Sequence, residues 1–457
     1  MKFALPKQAK DLMDKVKKAG YVCFAVGGCV RDMILGNQTG DWDFTTDAKP
    51  EEIQKLFPDS YYDNKFGTVG IPIYKNPKSV KDQYAIYEIT TFRSERGYSD
   101  FRHPDEVVFG STLSEDLQRR DFTMNSLAYD GKIIIDEHNG MKDIEKKLIR
   151  AVGEAELRFS EDALRMLRAV RFCVQLSFEL EKTTYSAIIK NSRLISRISA
   201  ERIRDELIKI LKTDLPSRGI LLLRDTGLLK EILPEIEKCF GIEQKSPKRH
   251  HIFDVGTHLL KSLESCPSKD PIVRMATLLH DVGKTVTYKK TAEGIITFYN
   301  HEIIGASIVN NIAERLHFSK KDRERMVTLV RHHQFTVDER QTDSAVRRFI
   351  RNVGIENVPD MLDLRTGDRL GGGARETSWR LDLFKKRLVE VQKQPFSVSD
   401  LKVNGHDVMK IYNSGPGPLV GAVLNMLFED VVTGKLPNEK AELLKRIKDF
   451  QEASKIN

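Results

Sequence analysis

A chain of 457 residues, 40% hydrophobic and 31% charged, is long enough for three or four domains and a large total core. Its formal charge of +8 and pI near 9.0 suit a polyanionic partner such as a nucleic acid. Five cysteines (Cys23, Cys29, Cys173, Cys239 and Cys266), odd in number and without a C-x-x-C pair, speak against a disulfide scaffold or zinc cluster and for reduced thiols in the cytoplasm; no apolar run approaches the roughly 20 residues that span a bilayer. Nothing at the start reads as a signal peptide, and Met1-Lys-Phe-Ala-Leu-Pro leads at once into the amphipathic stretch Ala9 to Val16. The apolar run Tyr21 to Val26 then predicts a strand ending in Gly27-Gly28-Cys29-Val30-Arg31-Asp32. Such a turn exposes backbone N–H groups to a phosphate, and Arg31 follows in the helix beyond.

Asp41 and Asp43 stand at i and i+2 in a strand-like Asp-Trp-Asp-Phe-Thr-Thr, so their carboxylates project from one face and can share divalent cations. A phosphate cradle followed by metal-binding carboxylates predicts nucleotidyl transfer, with Mg²⁺ between the two aspartates and a triphosphate. Glu88, in the strand-like Tyr84 to Arg93, is a candidate third carboxylate. From Arg93 to Val108 the sequence is polar and broken by Gly97 and Pro104, which predicts a long mobile loop. Asp116 to Asn125 predicts a helix start that clusters Arg119, Arg120, Asp121 and Asn125. Ser160 is the expected N-cap of a helix whose stripe Met166, Leu167, Val170 and Val174 is buried, with Asp162 and Arg165 on another face.

These motifs, in this order over residues 21 to 172, resemble the class II tRNA nucleotidyltransferases, the CCA-adding enzymes, and the related bacterial poly(A) polymerases. The resemblance implies an α+β chain: a DNA polymerase beta-like head with a small mixed sheet, then an all-α neck, body and tail that hold tRNA. It also implies that Gly28, Arg31, Arg119, Arg120, Asp121, Asn125, Arg168 and Arg171 bind nucleotide, Arg31 and Arg120 at phosphate and Asp121 and Asn125 at sugar or triphosphate. Asp162 and Arg165 would read the base. A carboxylate only accepts and a guanidinium only donates, a pattern that cytosine and adenine both complement and that uracil and guanine oppose. CTP and ATP are thus the expected substrates. The loop after Arg93 resembles the flexible loop of enzymes that add the terminal A, although Phe101 stands where a small residue is expected.

The middle of the chain carries a second constellation: His258, His280-Asp281, His301, His332-His333 and Asp368, in segments with helical periodicity such as Ile272 to Leu279 and Ile303 to Ala313. Imidazoles and carboxylates recurring between apolar helices can converge on a divalent metal that activates water against a phosphoester. Leu278-Leu-His280-Asp281-Val-Gly283-Lys284 resembles the HD phosphohydrolase superfamily. Expected ligands are His258, His280, Asp281 and Asp368, with His301 and one of His332 or His333 at a second metal or the substrate; His250 or His251 could replace His258. Ni²⁺, Mn²⁺, Co²⁺ and Mg²⁺ all suit the set.

From Phe396 the sequence Ser-Val-Ser-Asp-Leu-Lys-Val-Asn-Gly-His-Asp, and then Gly415-Pro-Gly-Pro-Leu-Val-Gly421 with a helix expected from Ala422, resembles the C-terminal part of HD-containing tRNA nucleotidyltransferases. The domains expected are a head at 1–155, a neck at 156–240, an HD body at 241–390 and a tail at 391–457. Basic clusters at Lys245 to Arg249, Lys320-Lys321, Arg347-Arg348 and Lys385 to Arg387 are solvated faces or phosphate contacts to the A-form acceptor arm. The leading expectation is CCA addition to tRNA with an added phosphohydrolase activity. An A-adding enzyme or poly(A) polymerase is the alternative within the class, and an HD phosphohydrolase with an RNA-binding head the alternative outside it.

Overall fold

A computed structural model describes every residue except 1–4, 63–66, 75–82, 98–105, 111, 245–252, 336–337, 339, 341, 376–377, 392–397 and 456–457. His250, His251, Phe101, Phe396 and Lys245 to Arg249 lie outside the described residues. The chain divides into two compact units, residues 1–237 with 315–318, and 238–314 with 319–457, so that the boundaries expected near 155 and 390 fall inside the units. All five cysteines are free and buried. Among the described residues no helix is long and apolar enough to cross a membrane.

The first unit opens with α1 (Lys7–Lys18), which buries Ala9, Leu12, Met13 and Val16 at the expected helical spacing. Then come β1 (Cys23–Val26), α2 (Gly28–Leu35), β2 (Asp43–Thr46), α3 (Pro50–Leu56), β3 (Tyr61–Tyr62), β4 (Thr68–Tyr74) and β5 (Gln83–Thr91). Next are β6 (Arg93–Arg96), β7 (Glu106–Phe109), α4 (Leu113–Gln118), β8 (Ala128–Tyr129), β9 (Ile134–Ile135) and α5 (Gly140–Glu145). Seven strands make one mixed sheet in the order β3-β4-β5-β2-β1-β8-β9, with β2 and β5 parallel. Trp42 and Phe44 are buried while Asp41 and Asp43 are exposed, although β2 begins only at Asp43, so that Asp41 stands just before the strand rather than on it.

Three sequence expectations need correction here. The segment after Arg93 is not loop from end to end: β6 and β7 pair as an antiparallel ladder from Arg93↔Phe109 to Arg96↔Glu106, and alternating Val107, Val108 and Phe109 supply its β-forming residues. Arg119 does not start a helix but caps the end of α4, and a single 3₁₀ turn, Thr123–Asn125, follows. Ser160 is no N-cap, because it lies inside α6 (Ala155–Glu161) with its hydroxyl on the Leu157 carbonyl; Asp162, extended at φ −139°, accepts instead from Leu164 N at the start of α7 (Leu164–Leu176). Helices α8 (Lys182–Asn191), α9 (Ala200–Lys212), α10 (Pro216–Asp225), α11 (Leu228–Ile232) and α12 (Pro234–Glu237) complete the unit.

The second unit is almost wholly helical: α13 (Val255–Glu264), α14 (Pro271–Leu279), α15 (Lys284–Thr287), α16 (His301–Arg315), α17 (Lys320–His332), α18 (Asp343–Val353), α19 (Val358–Gly371) and α20 (Trp379–Val391), then α21 (Gly405–Tyr412), α22 (Pro418–Val432) and α23 (Lys440–Lys455). The last three gather their own core around Val408, Leu427, Leu443 and Ile447. Helix α22 starts at Pro418 rather than Ala422, since proline is preset for the first helical position and loses no hydrogen bond there.

Candidate active sites

In the first unit a cavity of ≈ 450 Å³ opens at the turn between β1 and α2. Gly27 takes φ 78°, and a Cβ there would stand 2.9 Å from Arg120 Nη1 and 4.0 Å from Asp43 Oδ2, so only glycine fits both the backbone and the space. Arg31, buried in the first turn of α2, donates from Nη1 to Asn125 Oδ1 at 2.8 Å and from Nε to Asp32 at 2.9 Å. Asn125 Nδ2 in turn donates to Asp121 Oδ1 at 3.0 Å, and Arg168 clasps Asp121 Oδ2 from Nη2 and Nε at 2.6 and 2.8 Å. Burial opposes ionisation of Asp121, but Arg168, Asn125 and Arg165 overcome it and hold its pKa down at about 2.

Arg120 is anchored to the fully buried Asp116, and its Nε is shut off from solvent with no partner among the described residues. Asp43 faces the cavity. Desolvation by the cavity walls raises its pKa, Arg120 opposes that, and the like charge of Asp41 adds to it. Two acceptor-only groups whose ionised forms destabilise one another match a cation, which removes both penalties at once. Glu88 is the register partner of Asp43 on β5, so the two carboxylates leave the sheet on the same face, although Glu88 does not line the cavity.

The cavity therefore brings together Gly28, Arg31, Asp41, Asp43, Arg120, Asp121, Asn125, Arg168 and Arg171. It also includes Asp32, Thr39, Phe172 and Gln175, which sequence reasoning missed; the signal for Phe172 was that it follows Arg168 by four and Arg171 by one, and the guanidiniums of Arg31, Arg168 and Arg171 lie 5.1, 5.5 and 4.0 Å from its ring. Arg119, Asp162 and Arg165 are not in the lining. Arg119 binds Asp116 at 2.7 Å. Asp162 pairs with Arg202 of α9 at 2.7 Å, and Arg165 pairs with Glu161 at 2.6 Å and donates to the Arg119 carbonyl at 3.1 Å. Asp162 and Arg165 thus form ion pairs with other residues rather than with each other.

In the second unit His258 of α13, His280 and Asp281 at the end of α14, His301 at the start of α16 and Asp368 of α19 converge, together with His333. His332, expected as a ligand, is not part of the cluster. Adjacent residues at a helix end diverge by about 100°, so His333 turns inward, buried, while half-buried His332 lines another cavity. Three histidines share one device: His280, His301 and His333 donate from Nδ1 to the carbonyls of Thr277, Phe298 and Val330 at 2.8, 2.8 and 2.7 Å. That leaves each Nε2 as the inward lone pair.

The Nε2 atoms of His258 and His280 are 3.2 Å apart, and those of His301 and His333 3.4 Å. Asp281 stands between the pairs, with Oδ1 3.1 Å from His301 and Oδ2 3.4 Å from His280, while Asp368 Oδ1 is 3.2 Å from His258. His258, His280 and Asp368 form one set of converging ligand atoms and His280, Asp281 and His333 another. Lone pairs this close repel unless a cation or proton lies among them, so the residues fit a divalent metal. Without one the site takes a proton: burial works against it, yet Asp281 and Asp368 carry His280 up to about 10. Lys284, whose ammonium donates to Asp281 and to Gln244 Oε1, completes the surroundings. Gly283 is required by close packing, since a Cβ would meet the His301 carbonyl at 2.1 Å.

Four family models match segments of the chain. The poly A polymerase head domain model matches residues 23–150, the model for the RNA and SrmB-binding site of polymerase A residues 177–240, the HD domain model residues 249–356, and the tRNA nucleotidyltransferase domain 2 model residues 306–447. The CCA-adding enzyme of Ligilactobacillus salivarius is 33% identical over 455 residues, 98% of this chain and 97% of that protein. The CCA-adding enzyme of Lactobacillus johnsonii is 48% identical over 226 residues, 49% of this chain and 54% of that one. Among solved structures, the Bacillus stearothermophilus CCA-adding enzyme in complex with CTP superposes with a TM-score of 0.73 at 28% identity, covering 99% of this chain and 98% of that one. The Thermotoga maritima CCA-adding enzyme complexed with tRNA shares the fold at a TM-score of 0.59 and 19% identity.

Proposed function

Because the chain belongs to the CCA-adding enzyme family, we propose that its two sites divide two phosphoryl chemistries, nucleotidyl transfer in the first unit and phosphoester hydrolysis in the second. The primary activity is template-independent addition of CCA to tRNA 3′ ends from CTP and ATP. The observation that carries it is the single cavity that joins the Gly27-Gly28 turn to Asp41, Asp43, Arg31, Arg120 and Asp121. As a member of its family the enzyme depends on divalent metal. Mg²⁺ is the ion proposed at Asp41 and Asp43, with Glu88, the register partner of Asp43, proposed in a supporting role; when bound, such ions neutralise the triphosphate and acidify the attacking hydroxyl.

The chain's own residues position the reactants. The backbone N–H groups of the turn, with Arg31 and Arg120, receive the triphosphate, and Asp121 and Asn125 the sugar. The tRNA 3′-oxygen bonds to the α-phosphorus as the bond to pyrophosphate breaks. Asp162 and Arg165 are the proposed base readers; reading a base then requires the ion pairs with Arg202 and Glu161 to open. A tRNA lacking its three terminal nucleotides, incubated with CTP alone, ATP alone and both, is the deciding test. Growth by two residues with CTP and by three with both is expected, while growth with ATP alone would make the chain a poly(A) polymerase, and A addition only to a tRNA that already ends in two cytidines would make it an A-adding enzyme.

In the second unit His258, His280, Asp281 and Asp368 would hold one divalent ion, with His301 and His333 on the far side of Asp281 for a second. Ni²⁺, Mn²⁺, Co²⁺ or Mg²⁺ would there supply a hydroxide from water near neutral pH. Hydrolysis would join a water oxygen to phosphorus and break the ester P–O bond, the water's proton passing to the leaving alkoxide. Asp281, kept ionised against burial by Lys284 and His280, stays available as a ligand. Free buried thiols are consistent with a reducing cytoplasm, the proposed site of action.

A further inference from the structure

Resting on the hydrolase reading of the second unit, we propose that this site is built for phosphate esters that carry a second anionic group, the reacting phosphate on Arg365 and Arg369 and the second in an adjoining cavity. Arg365, Asp368 and Arg369 stand at i, i+3 and i+4 on α19 and so share a face. Asp368 turns Oδ1 toward His258 and accepts at Oδ2 from Arg365 Nη1 at 3.2 Å, which sets the guanidinium beside the metal ligands. One turn on, a Cβ on Gly372 would be 3.9 Å from His258, so this face keeps following the cluster. Arg365 uses Nη1 on Asp368 and Arg369 uses Nη2 on the Arg375 carbonyl at 3.1 Å, while the Nε of each is closed to solvent and lacks a partner among the described residues. A guanidinium carries five N–H donors, so each keeps terminal donors that these contacts do not use and that a phosphate can take.

The cavity, ≈ 320 Å³, is lined by Glu302, Arg331, His332, Phe335, Arg348 and Asn352, among others. It reaches the cluster at two points: the Glu302 carboxylate stands 3.8 Å from the His301 ring, and the ring of Phe335 lies 5.4 Å from the Arg365 guanidinium. Arg331 is 3.8 Å from Glu302, while exposed Arg348 has no carboxylate partner among the described residues, so the lining is cationic on balance. Phe335 and Phe349, 4.7 Å apart, add an apolar wall. A cationic cavity with an aromatic wall, in the size range of small-molecule sites, fits the remainder of a nucleotide and is wasted on a simple phosphomonoester.

The test uses the full chain with Mn²⁺ or Ni²⁺ and compares kcat/KM for adenosine 2′,3′-cyclic phosphate, the same compound with a 5′-phosphate, and a dinucleotide ending in the cyclic phosphate; the last two separate a free nucleotide from an RNA end. The second phosphate is expected to raise kcat/KM about tenfold, mostly through KM, the factor of one charge-assisted contact. Arg348→Ala should bring that ratio toward one, and Arg365→Gln should lower turnover of all three, with part restored by Arg365→Lys. In parallel, adenosine 3′,5′-bisphosphate is titrated by calorimetry with the first unit's site saturated by CTP. Arg348-dependent binding without hydrolysis would overturn the hydrolase reading and keep the anion seat. Hydrolysis with no preference for the second phosphate would overturn the seat and keep the hydrolase, and the absence of both would overturn both.

Discussion

Asp41 and Asp43 work by charge, so their replacement should separate chemistry from binding. Asp41→Ala or Asp43→Ala should cut CTP and ATP incorporation by roughly a thousandfold or more, with tRNA affinity in a filter-binding assay little changed, because phosphate contacts elsewhere hold the RNA. At His280 the sign runs through proton competition. A folded-state pKa raised to about 10 means the ring is protonated at neutral pH in metal-free protein, so a metal must displace that proton. Calorimetric titration with Mn²⁺ in buffers of differing ionisation enthalpy should show proton release, and apparent affinity should rise with pH up to that value. Asp162→Ala should reduce CTP and ATP use together and narrow their advantage over UTP and GTP, while Arg202→Ala, which frees the carboxylate, should do less harm. Equal effects of the two on rate with nucleotide preference unmoved would leave Asp162 a strut between α7 and α9.

At the scale of the element, α7 depends on the same aspartate. Asp162 Oδ1 accepts from the N–H of Leu164, the first residue of α7, so Asp162→Ala should lower hydrogen-exchange protection in the first turn of α7 by about 1 kcal/mol. The middle of that helix is clasped to the head by Arg168 on Asp121. With the Asp121 pKa depressed to about 2, its ionised form contributes about 2 kcal/mol, fully present above pH ~4 and lost as pH falls through 2. Asp121→Asn should flatten that acid limb in a thermal-melt series. Helix cores, the strand alternation at Trp42 and Phe44 and the Gly-Gly turn could be read directly, because periodicity and φ > 0 leave marks on sequence. Ends could not. Ser160 and Asp162 both have capping side chains, and His332 and His333 differ by one step around a helix end, so tertiary packing decides between them. The β6–β7 ladder was masked by the Gly97 and Pro104 signals near its tip.

At the scale of the molecule, the two metal-ligand sets belong to different compact units, with Asp41 and Asp43 in the first and His258 to Asp368 in the second. His280→Ala should therefore abolish metal-dependent hydrolysis of 2′,3′-cyclic nucleotides while CTP and ATP addition to tRNA stays within about twofold of the wild type. Absence of hydrolysis in the wild type over Ni²⁺, Mn²⁺, Co²⁺ and Mg²⁺ would make the second unit a scaffold for RNA, with the transferase untouched. The basic clusters at Lys320-Lys321, Arg347-Arg348 and Lys385 to Arg387 all fall in the second unit, where Arg347 donates to the Val432 carbonyl and Arg387 to Asp343.

The bonds from His280, His301 and His333 each run back three residues to a main-chain carbonyl. The tautomer of all three rings is consequently inscribed in the course of the backbone, where no exchange of a neighbouring side chain can erase it. Redesign of the metal preference would have to begin by bending helix ends, and a drifting sequence could lose hydrolysis yet keep, in its helix termini, the imprint of the ion it once held.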